Sequence, residues 1–185
     1  MMKFRITQKI INMKYLALFI MSMLFTQCWV FLDDDSLSLP LTPYHGNQLR
    51  IDGYYYRIAD GTDFAVGTIV SCYFFYENGI ILYRGSSGSS IEDMDSSIIN
   101  NQNYKNIKFS WGVFVIEGNT IKFDRWYPGA KPYRSYVREG VILNDTTFHI
   151  TKSYRSNGTE QREKDEVYHF REFLPKPDST NVYIK

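Results

Sequence analysis

Residues 107–126 read IKFSWGVFVIEGNTIKFDRW. Two runs of alternating side chains, 107–117 and 120–126, flank Gly118-Asn119. Successive side chains on a strand point to opposite faces, so Phe109, Trp111, Val113 and Val115 share one face of the first run. A Gly/Asn pair between two such runs accepts the positive φ of a tight turn. The stretch predicts an antiparallel hairpin.

The same pattern extends both ways. Upstream, runs at 51–57, 68–76 and 80–84 are strand candidates, the last two joined by Glu77-Asn78-Gly79. Downstream, Pro128-Gly129 precedes a run at 133–141, Asn144-Asp145 leads into 147–154, and Asn157-Gly158 marks the loop before 166–173. Pro175-Lys176-Pro177 ends the series, because proline removes a ladder donor. About eight short strands joined by short turns predict an all-β domain over 49–175, followed by a tail at 176–185. Closing into an antiparallel up-and-down barrel removes the exposed edges; a two-sheet sandwich fits the same turn spacing.

One segment departs from this reading. After Arg84 come the Gly/Ser residues 85–90, and then Ile91, Met94 and Ile98 fall on one helical face, with Ser89 and Glu92 at capping-box spacing. This predicts either a short amphipathic helix covering one barrel mouth as a lid or a disordered insertion.

Composition narrows the class. The chain has 185 residues, of which 44% are hydrophobic and 22% charged, excluding a disordered polymer, a collagen-like repeat and a multi-span membrane protein. The net charge of +1 hides an asymmetry: the four charges in residues 1–27 are all basic, so the remainder is −3. A mildly acidic body is a poor binder of phosphate backbones, so no nucleic-acid partner is expected.

The N-terminus reads as an address. Scattered basic residues precede an uncharged apolar run at 15–25, the layout of a secretory signal peptide over 1–27; Met13 is an alternative start to Met1. The run leads into Phe25-Thr26-Gln27-Cys28, which resembles the lipobox of bacterial lipoproteins, with Phe25 in place of the usual Leu and Gln27 in place of Gly or Ala. That resemblance implies acylation of Cys28 and a membrane partner reached through the N-terminal lipid. An uncleaved helix over 15–32 and a Cys28–Cys72 disulfide are the competing readings. Residues 28–48, with Asp33-Asp34-Asp35, then read as a solvated stalk; an acidic cluster there also resembles the surface-export signal of some Gram-negative lipoproteins.

Gly53-Tyr54-Tyr55 at the first strand resembles the Gly-x-Trp opening of lipocalins, and Arg171 in the last strand stands where that family carries an arginine stacked on the tryptophan. The resemblance, to uncharacterised lipocalin-like lipoproteins of Gram-negative bacteria, implies a calycin-type barrel closed by a Tyr55–Arg171 pair and located in the envelope at the outer membrane. It names no ligand.

Catalytic chemistry is not signalled. His45, His149 and His169 sit in no nucleophile motif, and His149 lies among polar-face residues. Cys72 reads as a small buried hydrophobe. Glu92, Asp93 and Asp95 lack the spacing of a calcium loop, and no cofactor or metal site is expected. The expectation is a non-enzymatic barrel that binds a small apolar or amphipathic ligand, with Tyr55, Trp111, Phe123 and Arg125 as candidate lining. Arg125 shares a face with Ile121 and Phe123, so it needs a buried partner or marks a wet mouth. The alternative is an interaction module that docks to another envelope protein, its partner unknown, through an exposed Trp126-Tyr127 tip.

Overall fold

The computed structural model describes residues 33–60, 68–87, 90–101 and 103–185; the leader, Cys28 and Ser89 lie outside them. Eight strands form one closed antiparallel barrel in sequence order: β1 (Gly53–Asp60), β2 (Thr68–Phe75), β3 (Ile80–Ser87), β4 (Trp111–Glu117), β5 (Thr120–Trp126), β6 (Ser135–Asn144), β7 (Thr147–Arg155) and β8 (Arg162–Glu172). The lipocalin-type up-and-down barrel is therefore the fold, and the sandwich is excluded. The ring closes where β8 pairs with β1, Tyr55 opposite Phe170. That seam requires Gly53, because a Cβ there would sit 2.0 Å from the Arg171 carbonyl oxygen. At the Asn78-Gly79 turn, Gly79 has φ +81°, the left-handed value that glycine takes without strain.

The barrel has a closed end and an open end. At the closed end the interior is filled by aromatic rings: Phe148 stacks on Tyr168 at 5.0 Å, and Phe75 meets Phe114 edge-on at 5.0 Å. Tyr44 and Leu49 join this core from below, with the Leu49 amide donating to the Tyr44 hydroxyl at 2.9 Å. The Arg50 guanidinium lies 4.4 Å from the Phe170 ring centre.

The outer wall is apolar as well over β1, β2 and β3, where Tyr54, Cys72, Phe74 and Leu82 are buried. Helix α1 (Ile91–Asn100) covers them with Met94 and Ile98. Its cap is Ser90, paired reciprocally with Asp93, one residue beyond the Ser89–Glu92 box expected from sequence. The helix is a buttress on the side wall, not a lid over a mouth. Asp95 holds it there, accepting from the Tyr54 hydroxyl at 2.6 Å and from Arg171 Nη2 at 2.6 Å. The C-terminal residues Tyr183 and Ile184 pack on the same cluster.

The segment read as a free stalk is fixed from Asp35 onward. Asp35 accepts two hydrogen bonds from Arg155 and one from the Ser135 amide, and its carbonyl accepts from Trp126 Nε1 at 2.6 Å. Further along, the Ser38 amide and hydroxyl both donate to the buried Asp124 carboxylate. Residues 35–43 therefore form a strap down the outside of the wall, from the open end to the closed one. The Asp35 carboxyl is held below its ordinary range chiefly by the Arg155 hydrogen bonds.

Candidate functional site

The inward side chains change character toward the open end. On β5 the series Ile121, Phe123, Arg125 passes from apolar to cationic, and Tyr127 follows on the same face just beyond the strand. On β6 Arg138 faces inward, and β8 contributes Lys164, Glu166 and Tyr168. Antiparallel register brings these groups together: Phe123 pairs with Arg138, and Ile150 pairs with Glu166.

Arg125 is 3% exposed. Its guanidinium lies between two phenol rings, 3.8 Å from the Tyr83 centre and 3.9 Å from that of Tyr127. One terminal nitrogen donates to the carbonyls of Phe109 and Trp126, each at 3.0 Å, while Nε has no hydrogen-bond partner. Among the described residues no carboxylate pairs with it. Arg138 donates through Nε to the Tyr127 hydroxyl at 2.7 Å and forms an ion pair with Glu166. Glu166 also accepts from Tyr168 at 3.2 Å. Arg138 thus has Glu166, which Lys164 also approaches at 3.7 Å, while Arg125 has no carboxylate, leaving positive charge in excess in a nearly enclosed site. Isolated buried charge is costly, so the site favours an anion.

Above this layer opens a cleft of about 240 Å³ lined by Tyr127, Tyr136, Arg138, Ser153, Glu160, Arg162 and Lys164. Three of these are basic and one is acidic. The volume falls below that of a drug-sized ligand site, roughly 300–1,000 Å³, and suits a headgroup or a small acid. A larger cleft of about 500 Å³ lies at the closed end beside Lys176, whose ammonium already donates to the carbonyls of Ile51 and Phe75. Burial lowers the Lys176 pKa to about 8. That group is committed to the chain, whereas the mouth has charge to spare.

Tyr127 is the internal reporter of this excess. Burial pushes its phenol up, but the Arg125 and Arg138 guanidiniums, with the Arg138 hydrogen bond, outweigh burial and hold it below its ordinary range. Burial instead raises Tyr73 and Tyr168. In a spectrophotometric titration of the ligand-free protein, one phenol is expected to ionise before the ordinary transition near roughly 10. Tyr127→Phe should abolish that early step, and its persistence would assign it to another ring.

The expected site residues are only partly brought together. Tyr55, Phe123 and Arg125 all point inward, with Tyr55 near the closed end, its hydroxyl donating to the Asp145 carbonyl at 2.5 Å. Trp111 lies outside the barrel, fully buried among Tyr104 and the outer cluster, because the wall is covered on that side too. The Tyr55–Arg171 pair does not form: Arg171 sits opposite Tyr54 and faces outward to Asp95. The guanidinium that stacks near Tyr55 is that of Arg50, over Phe170, the β8 partner of Tyr55. Trp126 is 6% exposed beneath the strap and Tyr127 turns into the mouth, so these two residues do not form an exposed tip. His149 lies beside Asp165 at 2.8 Å on the outer face. Sequence reasoning placed Tyr127 on an exposed tip and missed Arg138, Lys164 and Glu166, although charges on the same strand face as Ile142, Tyr168 and Phe170 were a usable signal. Among the described residues no cluster of His, Cys, Asp and Glu could hold a metal ion. Comparison of the chain with protein-family models, curated proteins and solved structures finds no match.

Proposed function

We propose that this chain is a lipid-anchored protein of the cell envelope whose barrel binds a small amphipathic molecule by its anionic group. The observation that supports it best is the buried positive charge of Arg125, left without a carboxylate once Arg138 pairs with Glu166, beneath a cleft lined by Arg162 and Lys164. Charge-assisted hydrogen bonds to a carboxylate or phosphate would satisfy these donors. The small cleft and the rings packed below it favour a bound head over an engulfed apolar body. The chemistry is binding rather than catalysis. The anchor half of the reading rests on the lipobox-like run ending at Cys28.

Calorimetric titration with dodecanoate, dodecyl phosphate and dodecanol at submicellar concentration tests the ligand class. The two acids should bind and the alcohol should not, and Arg162→Ala with Lys164→Ala should weaken the acids at least tenfold, one to three kcal/mol being roughly the worth of a charged hydrogen bond. Bound acid should also delay Tyr127 ionisation. Equal binding of the alcohol, or binding by none, removes the proposal. Metabolic labelling with palmitate should mark the wild type and not Cys28→Ala.

A further inference from the structure

We infer that the inner seat for the ligand's anionic group is the Nε edge of Arg125 together with Arg138 Nε, and that the Tyr127 side chain holds this place until a ligand displaces it. The inference rests on the anion-binding reading and says where in the site the anion goes. The chain itself shows what such an edge takes. Arg50, Arg155 and Arg171 each donate Nε and Nη2 to one carboxylate, that of Asp52, Asp35 and Asp95 respectively. Planar forks of this kind match the paired oxygens of a carboxylate or a phosphate. In Arg125, Nη1 is committed to two carbonyls and phenol rings cover both faces, but Nε is buried with no partner. A buried charged group with an unpaired donor is costly, so Arg125 has the most to gain from an anion.

Tyr127 stands between it and the cleft. Its ring lies 3.9 Å from the Arg125 guanidinium, its hydroxyl accepts from Arg138 Nε at 2.7 Å, and it forms part of the cleft lining. One side chain thus covers Arg125 and occupies Arg138 Nε. The other ring on Arg125, that of Tyr83, is fixed within β3: its hydroxyl lies 3.5 Å from Ser71 Oγ and fills the space that a Cβ on Gly85 would need. Tyr127 lies just beyond β5, is half-buried, and meets Tyr136 edge-on at 5.3 Å on the cleft side. Turning its side chain to another rotamer opens Arg125 to the cleft and frees Arg138 Nε, while Arg138 Nη1 stays on Glu166. Arg162 and Lys164 on the cleft wall then draw the anion in, and the two inner guanidiniums hold it. An uncharged molecule gains nothing that offsets the cation–π contact and the hydrogen bond given up, so Tyr127 makes the site selective for anions.

The test titrates dodecanoate, at submicellar concentration, into the wild type, Tyr127→Phe and Tyr127→Ala. A phenol that competes for the seat must let the ligand bind tighter once its hydroxyl is gone. Tyr127→Phe should gain about tenfold, the worth of one charged hydrogen bond, and Tyr127→Ala at least as much. A phenol that donates to a ligand resting above it predicts the opposite sign. In the Tyr127→Ala background, Arg125→Lys keeps the charge but lacks the fork, and should weaken dodecanoate at least about tenfold. Should that variant fail to fold, wild-type protein carrying isotope-labelled arginine reads the same contact by nuclear magnetic resonance: the Arg125 Nε–H signal should move downfield as dodecanoate is added. Wild-type binding that Tyr127→Phe weakens or leaves unchanged, or an Arg125 signal that does not move, overturns the seat while sparing the anion-binding reading. Absence of binding by the wild type and by both Tyr127 variants overturns the two together.

Discussion

Glu166→Ala is expected to lower the unfolding free energy by about 3–5 kcal/mol, the usual cost of removing one partner from a buried ion pair. Glu166 is the only carboxylate described within the inward cluster of Arg125 and Arg138, and the Tyr168 hydroxyl also depends on it. Its loss leaves two guanidiniums without an anion in a site from which water is largely excluded. A domain of this size has a total stability of roughly 5–15 kcal/mol, so the variant should be near the threshold of unfolding at ambient temperature. The double change Arg138→Met with Glu166→Leu should recover most of the loss, since replacing a buried pair by apolar groups is often neutral. Urea unfolding of Arg138→Met, Glu166→Leu and the double variant measures the coupling. If Glu166→Ala costs under about 1 kcal/mol, solvent is screening the pair as it does at surfaces, and the excess-charge argument for an anion ligand fails with it.

Phe148→Ala should cost a similar amount, about 3–5 kcal/mol, by a different route. The ring is fully buried and meets Tyr55 at 5.1 Å, Phe75 at 5.9 Å and Tyr168 at 5.0 Å. Truncation forfeits the burial of the ring and leaves a cavity that the surrounding aromatic rings cannot readily collapse into, their partners lying on several strands. The melting temperature should fall by roughly 6–20 °C, and Phe148→Leu should fall less. A dry cavity of that shape should be refilled by benzene, raising the melting temperature of Phe148→Ala and not that of the wild type. A loss below 1 kcal/mol would mean that the closed end is loosely packed.

The eight strands were legible because tight-turn residues punctuate them: Asn78-Gly79 and Gly118-Asn119 sit at observed hairpins. What alternation could not supply was which face turns inward. On β4, Trp111 and Val113 are buried outside while Phe114 is buried inside, so both faces look apolar and the pattern loses its sign. The same one-residue ambiguity separated Tyr55 from Arg171. The start of β8 was placed late, at 166 instead of Arg162, because its first turns line a wet mouth and carry charges. Residues 107–110, read as strand, turn as a short 3₁₀ segment at Lys108–Ser110 before β4 begins. Arg125 was identifiable from its company on an apolar face. Its companions Arg138 and Glu166 were not, since the fold brings them together from strands 28 residues apart. The Asp35–Arg155 clamp spans 120 residues and leaves no local trace, which is why a run of three aspartates reads as solvent-loving.

The seam between Gly53 and Glu172 joins the first strand to the last. No ring can exist until the ribosome has released residues up to the end of β8, and until then both β1 and β7 present bare amides and carbonyls. A growing chain is thus kept open throughout its synthesis, whatever hairpins have already formed, and a product cut short anywhere before β8 is complete lacks the partner for two strands at once.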